Sequence, residues 1–256
     1  MYSTTELTSD AIASDNPIHQ RLFAAYIQAA PLIEGNLLEI GCGLGRGIDV
    51  LIEKAKQYTG IDKNAQLIEM LQAKYPTLQF VEQNIPPMSS LPDDTFDTIV
   101  SFQVIEHIAK DELFISEIKR VLKKGGKAII TTPNRKFSLT RNPWHIREYL
   151  PKELLQLCQK HFAQVEAKGI AGNELVMQYY AQNKKAVQKI TRWDVLKMQY
   201  WLPRPLLQIP YEILNRMNRK KLHQQDNSLV TQIHYEDYFL SQDAENSLDL
   251  FYILHK

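Results

Sequence analysis

Long apolar runs are missing from this 256-residue chain, and none approaches the roughly 18 residues that a membrane-spanning helix needs. Cysteine is scarce: Cys42 and Cys158 lie far apart and match neither a zinc pattern nor a disulfide framework. Charge of one sign is also missing. Thirty Lys and Arg against 29 Asp and Glu leave a formal +1, so no global field directs the chain to nucleic acid. The stretch Met1–Asp10 lacks the basic start and apolar core of a signal peptide. Repeats and low-complexity tracts are absent. These features lead us to expect a cytoplasmic protein with reduced thiols. What is present is a 44% apolar fraction, enough for a substantial core, in a length suited to one large domain or a domain plus a cap.

The near-zero total hides a local asymmetry. From Lys184 to Lys221 ten Lys or Arg face only Asp194 and Glu212, leaving +8, whereas Leu222 to Lys256 carries six acids against Lys256, leaving −5. Pro203, Pro205 and Pro210 interrupt the basic stretch, which also holds Trp193, Tyr200, Trp201 and Tyr211. These shifts divide the chain into an N-terminal helical segment (1–35), a core (36–180), a basic helical cap or insertion (181–235) and a C-terminal strand returning to the core (236–256).

Within the core, short apolar runs alternate with helical patterns. Strands are expected at Asn36–Ile40, Gln57–Ile61, Leu78–Glu82, Thr95–Phe102, Lys127–Thr132, Ala163–Ala167 and Leu248–Leu254. Helices are expected at Ile18–Ala30, Ile48–Ala55, Ala65–Lys74, Asp111–Leu122 and Pro151–Lys160. In Asp111–Leu122, period 3.6 predicts a stripe of Leu113, Phe114, Ile118, Val121 and Leu122, closed by Lys123-Lys124-Gly125-Gly126. The alternation implies an α/β fold: a Rossmann-like, seven-stranded, mostly parallel sheet with helices on both faces and a helical cap before the last strand.

Where the first strand meets the first core helix, the sequence reads Leu38-Glu39-Ile40-Gly41-Cys42-Gly43-Leu44-Gly45-Arg46-Gly47. Glycines there let a ligand approach the backbone, at the sheet edge where open α/β folds bind ligands. Twenty-one residues past Gly41, Asp62 ends the second strand, where a carboxylate can accept from both hydroxyls of a ribose. The plain alternative is a tight turn followed by a helix cap. A dinucleotide fingerprint would want glycine at 46, which is Arg, and Glu39 would repel a pyrophosphate. A carboxylate suits instead a ligand with ammonium and sulfonium charge, which describes S-adenosylmethionine.

Leu38-Glu39-Ile40-Gly41-Cys42-Gly43-Leu44-Gly45 resembles the first motif of class I S-adenosylmethionine-dependent methyltransferases. Phe80–Ile85, Leu91–Val100, Val104–Ile108 and Leu122–Gly126 follow in that family's order, so the resemblance covers about 15–170 plus the last strand. It is of the type 11/12 kind, similar to ubiquinone-biosynthesis O-methyltransferases and to methyltransferases of polysaccharide clusters. It implies that Gly41, Gly43 and Gly45 approach the methionine part of the cofactor, with Glu39 near its amino group. Asp62 and Lys63 would lie at the ribose, and Asn84 and Ile85 at the adenine. Ser101, Phe102 and Gln103 would form the floor beneath the sulfonium, and the N-terminal helix, with His19 and Arg21, would close over the site. S-adenosylhomocysteine would be the product.

Transfer to a hydroxyl calls for a base. His107 follows the fourth strand at the ligand-binding edge. His145 lies in Asn142-Pro143-Trp144-His145-Ile146-Arg147-Glu148-Tyr149, which resembles a segment of polysaccharide-cluster methyltransferases. We take these two histidines as catalytic candidates, with Arg147 as a further acceptor contact. Local packing for His107 and a structural lid plugged by Trp144 are the bland alternatives. A Glu-x-x-Glu-His cation signature occurs in small-RNA 2′-O-methyltransferases and ubiquinone O-methyltransferases. Here it reads Gln103-Val104-Ile105-Glu106-His107, one carboxylate short for a hard cation, so no metal is expected; Glu106, His107 and His145 would be the ligands to suspect. The expected acceptor is a small molecule, glycan or lipid-linked sugar methylated on oxygen. C-methylation of a quinone-like ring and cofactor binding without turnover are the alternatives. The basic cap would shape the acceptor pocket or contact a membrane surface, and no nucleic-acid partner is expected.

Overall fold

The computed structural model describes residues 13–192, 202–225 and 227–256. Trp193, Tyr200 and Trp201 lie outside them. The strands are β1 (Asn36–Ile40), β2 (Gln57–Asp62), β3 (Gln79–Glu82), β4 (Phe96–Phe102), β5 (Leu122–Pro133), β6 (Gln164–Gly172), β7 (Tyr238–Ser241) and β8 (Asp249–His255). They form one sheet in the order β3-β2-β1-β4-β5-β8-β6-β7. Pairings from β3 through β5 are parallel, and β8 inserts antiparallel between β5 and β6. Strands buried on both faces need apolar side chains throughout, which is why β1 and β8 read as near-continuous apolar runs.

Among the described residues the sheet has eight strands where seven were expected. The extra one, β7, is four residues long and pairs antiparallel with an extension of β6 to Gly172. Its apolar run is only Tyr238-Phe239-Leu240, too short to mark a strand, and Phe239 is exposed at the sheet edge.

Two cores flank the sheet. On one face lie α1 (Asn16–Ala29), α2 (Ile48–Ile52), α3 (Ala65–Lys74) and the start of α6 (Glu174–Thr191). On the other lie α4 (Asp111–Val121) and α5 (Pro151–Gln159). In α4 the buried stripe is Phe114, Ile115, Ile118 and Val121; Leu113, expected on it, is turned outward and Ile115 takes its place. Both cysteines are buried and free.

The cap consists of α6, α7 (Arg204–Gln225) and α8 (Asn227–Gln232), so α6 crosses the boundary drawn at 180/181. Asn218 on α7 donates to Asn183 on α6 at 2.8 Å, and Arg219 pairs with Asp15 at 3.0 Å. The Asn16 amide donates to the carbonyls of Val230 and Ile233, both at 2.8 Å, and Tyr238 donates to that of Pro17. Helix α1 is therefore tied to the cap at its N-terminus and rests on the core along its length.

It rests there because Gly47 has no side chain: a Cβ at that position would lie 1.8 Å from Cδ1 of Tyr26. Gly47→Ala is expected to cost about 2–3 kcal/mol in urea unfolding, the penalty of overpacking a closed contact. A cost below about 0.5 kcal/mol, the range of neutral surface changes, would show that α1 does not lie against the loop.

Candidate active site

The loop leaving β1 hooks over the end of β2. The N–H groups of Gly41 and Cys42 both donate to the Ile61 carbonyl, at 2.8 and 3.2 Å. Asp62 clamps the next turn, one carboxylate oxygen accepting from the Gly43 N–H at 3.0 Å and the other from Asn64 at 2.9 Å. Gly43 has φ +53°, and no atom lies nearer than 4.0 Å to where its Cβ would be. That bare, left-handed backbone lines a cavity of about 330 Å³ together with Gly41, Asp62, Lys63, Asn84, Ile85 and Gln103.

Three expected members are placed elsewhere. Gly45 faces away from the cavity, and a Cβ there would meet Leu71 at 2.6 Å and Ile48 at 2.8 Å. Ser101 is 2% exposed, its hydroxyl without a partner, because alternation along β4 points it into the sheet packing. Phe102, Gln103 and Val104 form the wall instead.

Glu39 is the third. It is 1% exposed and accepts from the hydroxyls of Tyr26 at 2.9 Å and Tyr58 at 2.5 Å. Tyr26 lines the cavity, so Glu39 stands one layer behind the wall. Nothing in the sequence marked Tyr26 or Tyr58, whose meeting needs α1 and β2 folded around β1. Arg46, Trp144 and Ile146 are further wall residues that were not anticipated as such.

A second cavity of about 290 Å³ adjoins the first, with Leu22, Gln103 and His107 on the walls of both. Gln103 sits at φ +56°, a strained conformation for a residue with a side chain, held by its N–H donating to the Thr131 carbonyl at 3.0 Å. The second cavity is lined by α1, the β4 and β5 edges and the cap, including Arg21, Glu106, His145, Tyr179 and Asn218. Arg21 pairs with Asp249 at the head of β8, 3.2 Å away. Burial raises the carboxyl of Asp249 above its ordinary range, opposed by Arg21. His19 lies on neither wall; its ring stacks on Phe23.

His107 and His145 meet edge to face, ring centroids 5.0 Å apart. They are brought together because the Glu106 carbonyl accepts from the N–H groups of Ile146 and Arg147, at 2.7 and 3.2 Å. His107 Nδ1 lies 3.0 Å from the Trp144 carbonyl. A carbonyl only accepts, so Nδ1 carries the proton and Nε2 is the accepting nitrogen. His145 Nδ1 lies 2.7 Å from a Glu148 carboxylate oxygen, and its Nε2 lies 2.9 Å from the Asn142 amide nitrogen. Arg147, expected near an acceptor, instead pairs with Asp111 and lines neither cavity.

Ligand atoms of Glu106, His107 and His145 all lie within 4.8 Å of one another, which makes them a candidate metal triad among the described residues. Two imidazoles and one carboxylate suit a borderline transition ion better than the all-oxygen shell of Mg²⁺. One Glu106 oxygen already accepts from Thr132 at 2.9 Å.

Comparison with known proteins agrees with this geometry. Residues 38–130 match the family model described as "Methyltransferase domain". Over those residues the chain is similar to a methyltransferase domain. A probable S-adenosylmethionine-dependent methyltransferase of Mycolicibacterium smegmatis is 36% identical over 169 residues, 64% of this chain and 65% of the relative, just under two thirds of its length. A ubiquinone biosynthesis O-methyltransferase of Paracidovorax citrulli is 28% identical over 59% of this chain and 72% of the relative. Among solved structures, an S-adenosylmethionine-dependent methyltransferase of Thermotoga maritima, titled a possible histamine N-methyltransferase, superposes with a TM-score of 0.57. It covers 93% of this chain and 90% of its own at 15% identity, a likeness of fold. Among the described residues no helix is long and apolar enough to cross a membrane.

S-adenosylmethionine is the cofactor named for the Mycolicibacterium smegmatis relative, and the lining of the first cavity fits it. Gly43 offers bare backbone, Asp62 a ribose-accepting carboxylate, and Ile85 and Ile108 apolar wall. Asp62→Ala is expected to weaken S-adenosylhomocysteine binding at least about ten-fold by calorimetry, since a charge-assisted hydrogen bond is worth ~1.5–3 kcal/mol. Unchanged affinity would remove that assignment.

Burial pushes the Glu39 carboxyl from 4.5 to about 7, against the two tyrosine hydroxyls that hold it down. The folded chain therefore binds this proton more tightly than the unfolded one, and its contribution to stability declines as pH rises from about 4.5 to about 7. Relative to Glu39→Gln, the wild type should lose on the order of 3 kcal/mol of unfolding free energy across that window. Parallel pH profiles for the two proteins would contradict it.

Proposed function

We propose that this protein transfers the methyl group of S-adenosylmethionine to an oxygen of an acceptor bound in the second cavity, a small molecule, glycan or lipid-linked sugar. The observation that carries the reading is His107, which lies on the walls of both cavities with its proton fixed on Nδ1 by the Trp144 carbonyl. The cofactor supplies an electrophilic methyl group on a sulfonium, whose departure as a thioether needs no acid. What the chain must supply is alignment and a proton acceptor.

His107 Nε2 is oriented to take the proton of an acceptor hydroxyl as the new C–O bond forms. General-base assistance of this kind is worth about 10²–10⁴ in rate. His145, held between Glu148 and Asn142, buttresses the His107 ring and keeps it turned to the junction. Leu22 and Gln103 narrow the junction, which favours the near-attack geometry that an in-line displacement needs.

The lining of the second cavity supports a neutral, hydroxyl-rich acceptor. Its two arginines are each matched by a carboxylate, Arg21 by Asp249 and Arg219 by Asp15, while Asn183, Asn215 and Tyr211 add neutral polar side chains to the wall. Relatives named as ubiquinone biosynthesis O-methyltransferases add support for oxygen as the receiving atom.

The test is transfer of labelled methyl into a panel of free sugars, lipid-linked sugars and catechols. His107→Ala should slow transfer at least about ten-fold, the low end of lost base catalysis, and change S-adenosylhomocysteine affinity by much less than it changes the rate. His145→Ala should slow it less. Undiminished turnover in His107→Ala, or label recovered on ring carbon, would overturn the base-assisted O-methylation reading.

A further inference from the structure

Helix α7 is turned inside out. Its inward face carries Tyr211, Asn215, Asn218 and Arg219, which line the second cavity. Its outward face carries Leu206, Ile213, Leu214 and Met217, exposed by 63%, 54%, 44% and 62%. A surface helix of a globular protein normally does the reverse, packing its apolar stripe on the core and leaving polar groups in water. Here the positions 206, 213 and 217 fall within 40° of one another at 100° per residue, with Leu214 about 60° from Met217, so the exposed side chains share one side of the helix. Four large apolar side chains on one short stretch make a patch that a water-facing helix has no reason to keep.

The charge around the stripe says what covers it. Residues 184–221 carry a net +8, and Arg216, exposed, lies one residue from Met217. An apolar stripe beside an exposed cation, in a segment of strongly positive net charge, has the chemistry of a helix lying in a membrane interface, apolar side chains among the acyl chains and cations at anionic headgroups. A second copy of the chain fits poorly. A two-fold contact through this stripe would bring two +8 segments together, and Leu206 to Met217 spans only about 17 Å of helix, small beside the ~800 Å² per partner of a stable dimer.

We infer that the outward face of α7 docks on an anionic lipid surface through Leu206, Ile213, Leu214 and Met217. Because the opposite face of the same helix lines the second cavity, docking holds that cavity about one helix diameter, ~10 Å, from the headgroups. The surface stands independently of the chemistry inside the cavity.

The experiment is co-sedimentation of the full chain with phosphatidylcholine vesicles, with and without about 30 mol % phosphatidylglycerol, at low salt and at about 0.5 M NaCl. The wild type should sediment with the anionic vesicles, at least about five-fold less with the neutral ones, and less at high salt. Ile213→Ser with Met217→Ser should weaken anionic-vesicle binding about ten-fold while leaving the melting curve and S-adenosylhomocysteine affinity unchanged, since both side chains lie off the cavities. Arg216→Glu, which keeps the stripe, should weaken binding to the anionic vesicles alone. The inference is overturned if the wild type ignores anionic vesicles, or if the double variant binds as the wild type does. It is equally overturned if sedimentation velocity finds a dimer, broken by the double substitution, in a chain that ignores vesicles, which would give the stripe to a second copy.

Discussion

Two buried carboxylates hold the first helix in place, and both cavities depend on that. Glu39, under the glycine loop, accepts from Tyr26 near the C-terminal end of α1 and from Tyr58 on β2. Asp249, at the head of the last strand, pairs with Arg21 one turn earlier in α1. A carboxylate taken out of water is costly unless it is partnered, so each of these contacts is far more expensive to leave unmade than its net worth suggests. The result is a helix fixed at two points to strands from opposite ends of the sequence. Its Leu22, lying between the two anchors, becomes the partition between the cavities.

The same helix couples the core to the cap. Asn16 reaches the end of α8, Pro17 accepts from Tyr238 on β7, and Asp15 just before α1 pairs with Arg219 on α7. Residues 15–17, which also begin the helix resting on Gly47, thus help to seat the cap. Cofactor loop, partition and cap share one structural element, so a change in how α1 sits is felt on both cavities.

Much of the architecture was legible because it is local. The alternation of apolar runs with helical stripes gave the element order, and α3 occupies the residues its periodicity predicts. Asp62 was legible by its spacing from the glycines. What could not be read were the long-range meetings. Glu39 looked like a ligand contact because sequence shows a carboxylate beside a glycine loop but not the two hydroxyls that arrive from α1 and β2. Arg147 looked like an acceptor contact because nothing local reveals that Asp111, 36 residues away, takes its charge and also accepts from Tyr149. Ser101 and Gly45 were misplaced by one step of alternation and one turn of loop. Strand β7 was missed because its apolar run, Tyr238-Phe239-Leu240, is too short to mark a strand.

The two histidines show how second partners divide labour between identical side chains. Both carry the proton on Nδ1, but for different reasons and with different consequences. His145 gives it to a carboxylate, Glu148, and its Nε2 is engaged by the Asn142 amide, so both ends of the ring are committed to the loop that carries it. His107 gives it to a backbone carbonyl, and the residue lies on the walls of both cavities. The loop 142–149 therefore does more than cover the site. By folding back on the Glu106 carbonyl it delivers the Trp144 carbonyl that sets the His107 tautomer, and it brings His145 against the His107 ring. The orientation of the His107 ring is thus written in the backbone of the segment that closes over it.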